Sequence, residues 1–264
     1  MEMAYDDYGL ALLAEALGET EDANVFLERS QNWRNLYDSE SEFLLGRYRD
    51  GTFPPLEAPN DWQDYYAEGN AWHYLWFVPH DLEGLADVLG GRDSFLDRLD
   101  FFFETTDESP YDHTLPSLWY WHGNEPDIHA LWIYSALDRP DDSARWVRWT
   151  LERHYDETAD GLAGNDDSGT LSAWYVFSAA GFFPIAALDE YLIASPIFTR
   201  VVFHLEGGDF VVEAPAASER DMYVESATFA GEPLERARIP HDELAGATLR
   251  LELVRAPMSW GVHE

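Results

Sequence analysis

The hydrophobic positions along this chain change their period once. Up to about Pro184 they recur every three or four residues, the spacing of one helical face; beyond it they come in short β-type runs. Leu10, Leu13, Ala14 and Leu17 share such a face, Gly18 ends it, and Thr20 is placed to cap a second helix bearing Ala23, Phe26, Leu27, Ser30, Trp33 and Tyr37. The short connection predicts antiparallel neighbours over residues 3–37. Turn signals fill 38–67: Asp50-Gly51, Pro54-Pro55 and Pro59-Asn60-Asp61. From Ala71 to Val78 the chain is apolar on nearly every side, which predicts a buried helix closed by Pro79. Further helices are predicted over about 81–89, 93–104, 127–137, 141–154 (with Asp141 as cap) and 169–180. A long loop over 105–126 and an acidic loop over 156–169 separate them. Strands are predicted at 191–193, 201–205, 210–212, 223–229 and 248–253, with a hairpin turn at Gly207-Gly208-Asp209. The expected fold is α+β: helical hairpins in toroid fashion over 1–187, then an antiparallel β-sandwich-like region over 188–264.

Composition narrows the partners. The chain carries 51 acidic and 16 basic residues, a net charge of −35, and every basic residue is arginine. Such a surface repels nucleic acid and anionic membranes, so neither is expected as a partner. The acid is spread along the chain, which points to a solvated surface adapted to high salt, where counterions screen the self-repulsion. Absence of cysteine removes thiolate chemistry and leaves oxygen and imidazole as the only metal donors. There is no apolar run of membrane-spanning length, and Glu2, Asp6 and Asp7 near the start do not read as an export signal.

Three loops share one design, a carboxylate with glycine and asparagine just before an aromatic helix. They are Glu68-Gly69-Asn70, His122-Gly123-Asn124-Glu125-Pro126 and Gly164-Asn165-Asp166-Asp167. In a toroid of hairpins alternate helices start at one end, so these loops are expected to converge. Convergent carboxylates can divide into acid and base for glycoside hydrolysis, or hold Ca²⁺ with hard oxygens. The many aromatics, 15% of residues with 11 tryptophans, offer apolar surface to a sugar ring as well as filling a core. The sequence lacks the phosphate-binding, zinc-protease and α/β-hydrolase motifs.

The runs E-G-N-A-W-H-Y-L-W-F-V-P-H-D (68–81), H-G-N-E-P (122–126) and G-N-D-D-S-G-T-L-S-A-W-Y-V-F-S-A-A-G-F-F-P (164–184) resemble the signature segments of glycoside hydrolase family 92. The run from Leu192 to Phe198 is similar to the start of that family's C-terminal β region. The family comprises calcium-dependent, inverting, exo-acting α-mannosidases. The resemblance implies an incomplete (α/α)6 toroid and hydrolysis of terminal α-linked mannose, with an α-1,2 linkage expected. Glu68 matches the general acid and Asp167 the general base, and Asn165 falls where some members carry a further acidic residue. Glu125 matches a ligand of Ca²⁺, with Asp167 near the same ion; Trp72, His122, Asn124 and Asp166 are implied to contact sugar. His73, Ile128 and Thr170 stand where Gln, His and Gln are usual. Only the C-terminal part of the family's chain is matched, so a mannose-containing glycan and an N-terminal companion polypeptide are the expected partners. A catalytically silent carbohydrate- or calcium-binding fragment is the alternative. Family members suggest an extracellular location.

Overall fold

Alanines, rather than leucines, decide how the chain begins to pack. Helix α1 (Glu2–Ala16) buries Ala4, Ala11 and Ala14, together with Asp7, against α2 (Thr20–Ser30). Small side chains let the two backbones approach, and Arg29 grips Asp7 with Nη2–Oδ1 at 2.9 Å and Nε–Oδ2 at 3.0 Å. Of the expected face Ala14 is buried, whereas Leu10, Leu13 and Leu17, like Met3, are left in solvent. Thr20 is the first residue of α2 and Glu19 its cap position, without a capping side chain.

The computed structural model describes residues 1–109 and 117–262, so part of the loop expected over 105–126 lies outside the described residues. They divide into two compact units, Met1–Ile128 and His129–Glu264. In the first, a two-residue ladder joins β1 (Tyr37–Asp38) to β2 (Phe43–Leu44). Helix α3 (Ala71–Leu75) is fully buried and shorter than the apolar run around it. Helices α4 (Leu82–Val88) and α5 (Arg92–Glu108) follow. Asp81 caps α4 by accepting from the Gly84 amide at 3.0 Å, while its other oxygen takes Trp33 Nε1 and Arg34 Nη2, each at 3.1 Å.

In the second unit the helix expected over 127–137 is reduced to a 3₁₀ turn (Ala130–Trp132) and α6 (Ile133–Ala136). Helix α7 (Pro140–Arg153) begins at a proline with Arg139 at its cap position, so Asp141 lies in the first turn instead. Helix α8 (Thr170–Ala180) closes at Gly181 in the left-handed conformation, φ 89°. A β-carbon there would sit 2.6 Å from the Pro196 ring, so glycine is required twice over.

A three-stranded sheet, in order β3 (Phe182–Pro184), β4 (Glu190–Ile193) and β9 (Arg238–Pro240), lies beside α6: Ser135 Oγ donates to the Ile193 carbonyl at 2.7 Å. The larger sheet comprises β5 (Arg200–Leu205), β6 (Gly208–Glu213), β10 (Thr248–Val254), β7 (Tyr223–Phe229) and β8 (Glu232–Leu234), in that order. The expected turn at Gly207-Gly208 joins β5 to β6. The region is not wholly antiparallel, as had been expected, because β10 returns beside β6 in the parallel sense. Phe182, Phe210, Val212, Ile239, Leu249 and Leu251 form the core, with Ala180 and Phe177 of α8 packed into it. The change from helix α8 to strand β3 therefore falls inside the second unit. The α+β character is as expected, and among the described residues no helix is long and apolar enough to cross a membrane.

Candidate active site

The segment 66–70 must turn sharply from a polar loop into a buried helix, and each peptide of the turn is held. Tyr74 donates its hydroxyl to the Ala67 carbonyl at 2.6 Å. Asn70 caps α3, its side-chain oxygen accepting from the Trp72 and His73 amides at 3.0 and 3.1 Å. Between them Glu68 adopts φ 54°, a left-handed conformation that non-glycine residues reach at a cost. Its carbonyl accepts the side-chain amide of Asn124 at 2.8 Å. A β-carbon on Gly69 would come within 3.0 Å of the Tyr74 ring and 3.2 Å of His73 Nδ1, so the turn leaves no space there. The Glu68 residue itself is solvent-exposed. The sequence thus builds a rigid floor that presents one carboxylate outward.

The floor beneath it is dry. His73 is fully buried, and its Nε2 lies 2.7 Å from the Trp119 carbonyl and 3.0 Å from that of Ser117, so this nitrogen carries the proton. Burial lowers its pKa to about 4, against the opposing pull of those two carbonyls. Asp127, also fully buried, accepts the Trp121 amide at 3.0 Å through Oδ2, while Oδ1 has no hydrogen-bond partner among the described residues. Burial pushes its carboxyl well above the usual carboxylate range. Asp127 Oδ2 and His73 Nε2 are 4.0 Å apart. With burial driving both groups neutral, the contact is one of packing rather than an ion pair.

The H-G-N-E-P loop is seated on this floor. Asn124 donates its main-chain amide to Trp121 and accepts from the Asp127 amide, and it is only 3% exposed. His122 is buried with Nδ1 2.5 Å from the Tyr120 hydroxyl. Glu125 alone projects into solvent. Glu68 and Glu125 are therefore tied by a single side chain, Asn124. Three of the residues implied to meet sugar, Trp72, His122 and Asn124, are deeply placed. Asn124 spends its amide on Glu68, and Trp72, 8% exposed, packs among Phe43, Phe102 and Trp119 with the Arg98 guanidinium 5.1 Å from its ring. The sequence pattern did not single out Tyr74 or Asp127. Asp127 carried one signal, a lone carboxylate entering an otherwise apolar run after Pro126.

In the second unit the acidic loop divides its labour. Asp166 accepts the Ser172 amide at 2.8 Å and the Ser172 hydroxyl at 2.7 Å, which holds its carboxyl below the usual range and anchors the start of α8. Asp167 and Ser168 are left-handed at φ 44° and 60°, and the Asp167 carbonyl accepts from the Thr170 amide and hydroxyl at 3.2 and 2.7 Å. The residues Asp167 and Asn165 are exposed. Both carboxylates matched to acid and base thus sit on strained, locally braced backbone. For Ca²⁺ the donors fit in kind but not in number: among the described residues no three acidic or imidazole groups cluster, whereas the ion takes six to eight oxygens.

The comparison with known proteins decides the family. Residues 1–255 match the model described as the glycosyl hydrolase family 92 catalytic domain. The chain belongs to that family. It is similar to an uncharacterized secreted glycosidase of Arthroderma benhamiae, 29% identical across the whole of this chain and 36% of the relative. A family 92 α-mannosidase from Bacteroides thetaiotaomicron matches 97% of this chain with 32% identity and a TM-score of 0.87, covering 34% of that structure. A second from the same organism, described as an inverting mannosidase, gives 31% identity and 0.86, covering 37%. The chain of this family 92 member therefore spans about a third of the length of the relatives it matches.

Proposed function

We propose that this chain is the part of a family 92 α-mannosidase that supplies the acid and base of hydrolysis, with Glu68 protonating the departing glycosidic oxygen and Asp167 activating water. The observation that carries the reading is the presentation of Glu68. It is an exposed carboxylate at φ 54° whose carbonyl is bonded to the residue preceding exposed Glu125. Rigid display on strained backbone fits a group that must meet one atom of a substrate. The proposed substrate class is terminal α-linked mannose; it is supported by the solved relatives described as α-mannosidases, one of them in complex with mannoimidazole. Asn165 belongs beside Asp167 in the proposal, which also takes His122, bonded to Tyr120, and Asp166, bonded to Ser172, as residues of the sugar site. Bound Ca²⁺, held by Glu125 and Asp167 with oxygens from outside the described set, would supply Lewis-acid contact to sugar hydroxyls.

The companion belongs to the same proposal. The stripe of Met3, Leu10, Leu13 and Leu17 on α1, with Val25 and Leu27 of α2, is an exposed apolar face suited to another helical hairpin. A silent carbohydrate- or calcium-binding fragment is the second reading, favoured by the incomplete donor set. One experiment separates them: release of mannose from an α-1,2-linked disaccharide in high salt, with and without Ca²⁺, by the chain alone and with the companion. Turnover lost on chelation and in Glu68→Gln supports the enzyme, and an inverted anomer at first release supports the acid–base pair. Calcium binding without turnover in either format refutes it.

A further inference from the structure

The Asn124 side-chain amide donates to a main-chain oxygen of the neighbouring candidate loop, that of Glu68. We propose that Asn124 is a positioning residue for the candidate acid, holding the Glu68–Gly69 peptide so that the Glu68 carboxylate has one direction. The inference rests on the reading of Glu68 as the acid.

Four observations carry it. First, the bond falls on the peptide that follows the strained residue. Fixing the Glu68 carbonyl at 2.8 Å fixes the Glu68 ψ, while φ stands at 54°, where relaxation would swing the side chain away. Second, the peptide before Glu68 is held independently by the Tyr74 hydroxyl on the Ala67 carbonyl, and Gly69 after it is packed so closely against Tyr74 and His73 that a β-carbon would have no room. Third, Asn124 cannot drift. Its amide donates to Trp121, its carbonyl accepts from Asp127, and it is 3% exposed. Fourth, the segment leading into its loop is tied to α3 and its cap residue by side-chain hydrogen bonds. Asn70 Nδ2 donates to the Leu118 carbonyl at 3.0 Å, and His73 donates to Trp119. The Asn124 side chain therefore joins the backbone of the candidate acid to the backbone that carries Glu125, the next residue along. Alanine at 124 would leave Glu68 in place in the chain but free to rotate, and would leave a main-chain carbonyl without its partner.

The test uses substrates that differ in their need for an acid. Aryl α-mannosides of graded leaving-group pKa and an α-1,2-linked disaccharide are compared for the wild type, Asn124→Ala, Asn124→Asp and Glu68→Gln. If Asn124 positions the acid, both Asn124 variants lose on the order of 10²-fold in kcat on the disaccharide. They keep most activity on a dinitrophenyl mannoside, whose leaving group needs no proton, and KM changes little. Glu68→Gln should show the same slope, more steeply. Equal loss on every substrate in the Asn124 variants, with a steep slope in Glu68→Gln, overturns the proposal alone. A flat Glu68→Gln response overturns the reading of Glu68 and the proposal with it. A second measurement needs no turnover. In labelled protein the Glu68 ¹³C′ resonance and its left-handed Cα and Cβ shifts should move in Asn124→Ala, while the unfolding midpoint stays close to wild type. Unchanged Glu68 shifts overturn the positioning role.

Discussion

Lowering the pH should destabilise the floor beneath the candidate acid through one residue, His73. The imidazole is fully buried, and its pKa falls from 6.5 to about 4 because burial penalises the charged form. A depressed histidine pKa means that between those values the unfolded chain binds a proton that the native protein does not. Stability is then complete above pH 6.5 and is lost as the pH falls toward 4. A lowering from 6.5 to about 4 corresponds to about 3 kcal/mol. Such a loss is a large share of the ~5–15 kcal/mol that holds a typical domain. His73→Gln removes the titration while leaving a polar side chain, so its other effects form an offset that does not vary with pH. Urea unfolding of both proteins in high salt, from about pH 7.5 down to about pH 4, gives the comparison. The wild type should lose about 3 kcal/mol relative to His73→Gln over that range. Parallel curves would refute the dry-floor argument. A wild type that gains on the variant as the pH falls would show an ion pair with Asp127, 4.0 Å away, in place of two neutral groups.

Three further outcomes follow from the same packing. Asp81→Ala removes the cap of α4 and the acceptor of the buried Trp33 indole, and should cost about 2 kcal/mol in urea unfolding, with Asp81→Asn milder. Gly181→Ala places a β-carbon 2.6 Å from Pro196 on left-handed backbone, so a loss of more than about 2 kcal/mol is expected, read as a lowered thermal midpoint by circular dichroism. Dialysis into low salt should unfold the protein reversibly, because a net charge of −35 is then unscreened; full stability there would refute salt adaptation.

Elements with a strong local signal were legible in the sequence, and the site was legible in part. The run 223–229 is read as a strand and is β7, and the helix expected over 169–180 is α8 at Thr170–Ala180. The expected face of α1 is split, with Ala14 buried and its leucines exposed. Periodicity marks Leu10, Leu13 and Leu17 as apolar, but it cannot tell a seam that packs on alanines from one that waits for another surface. The resemblance implies sugar contacts at Trp72 and Asn124, and it could not tell how deeply the fold buries both. Short strands such as β9, Arg238–Pro240, carry little pattern of their own and exist because β4 offers them a ladder.

The sequence by itself determined the family, the change from helix to strand near Pro184, and the three carboxylate loops, because each is written in neighbouring residues. Only the tertiary structure decided which loop residues face water and which brace the turn. It brought Asn124 to the Glu68 carbonyl across 56 positions and left Glu125 exposed beside it. Hydrogen bonds and burial between distant segments are set by how the whole chain closes, and no local pattern encodes that distance.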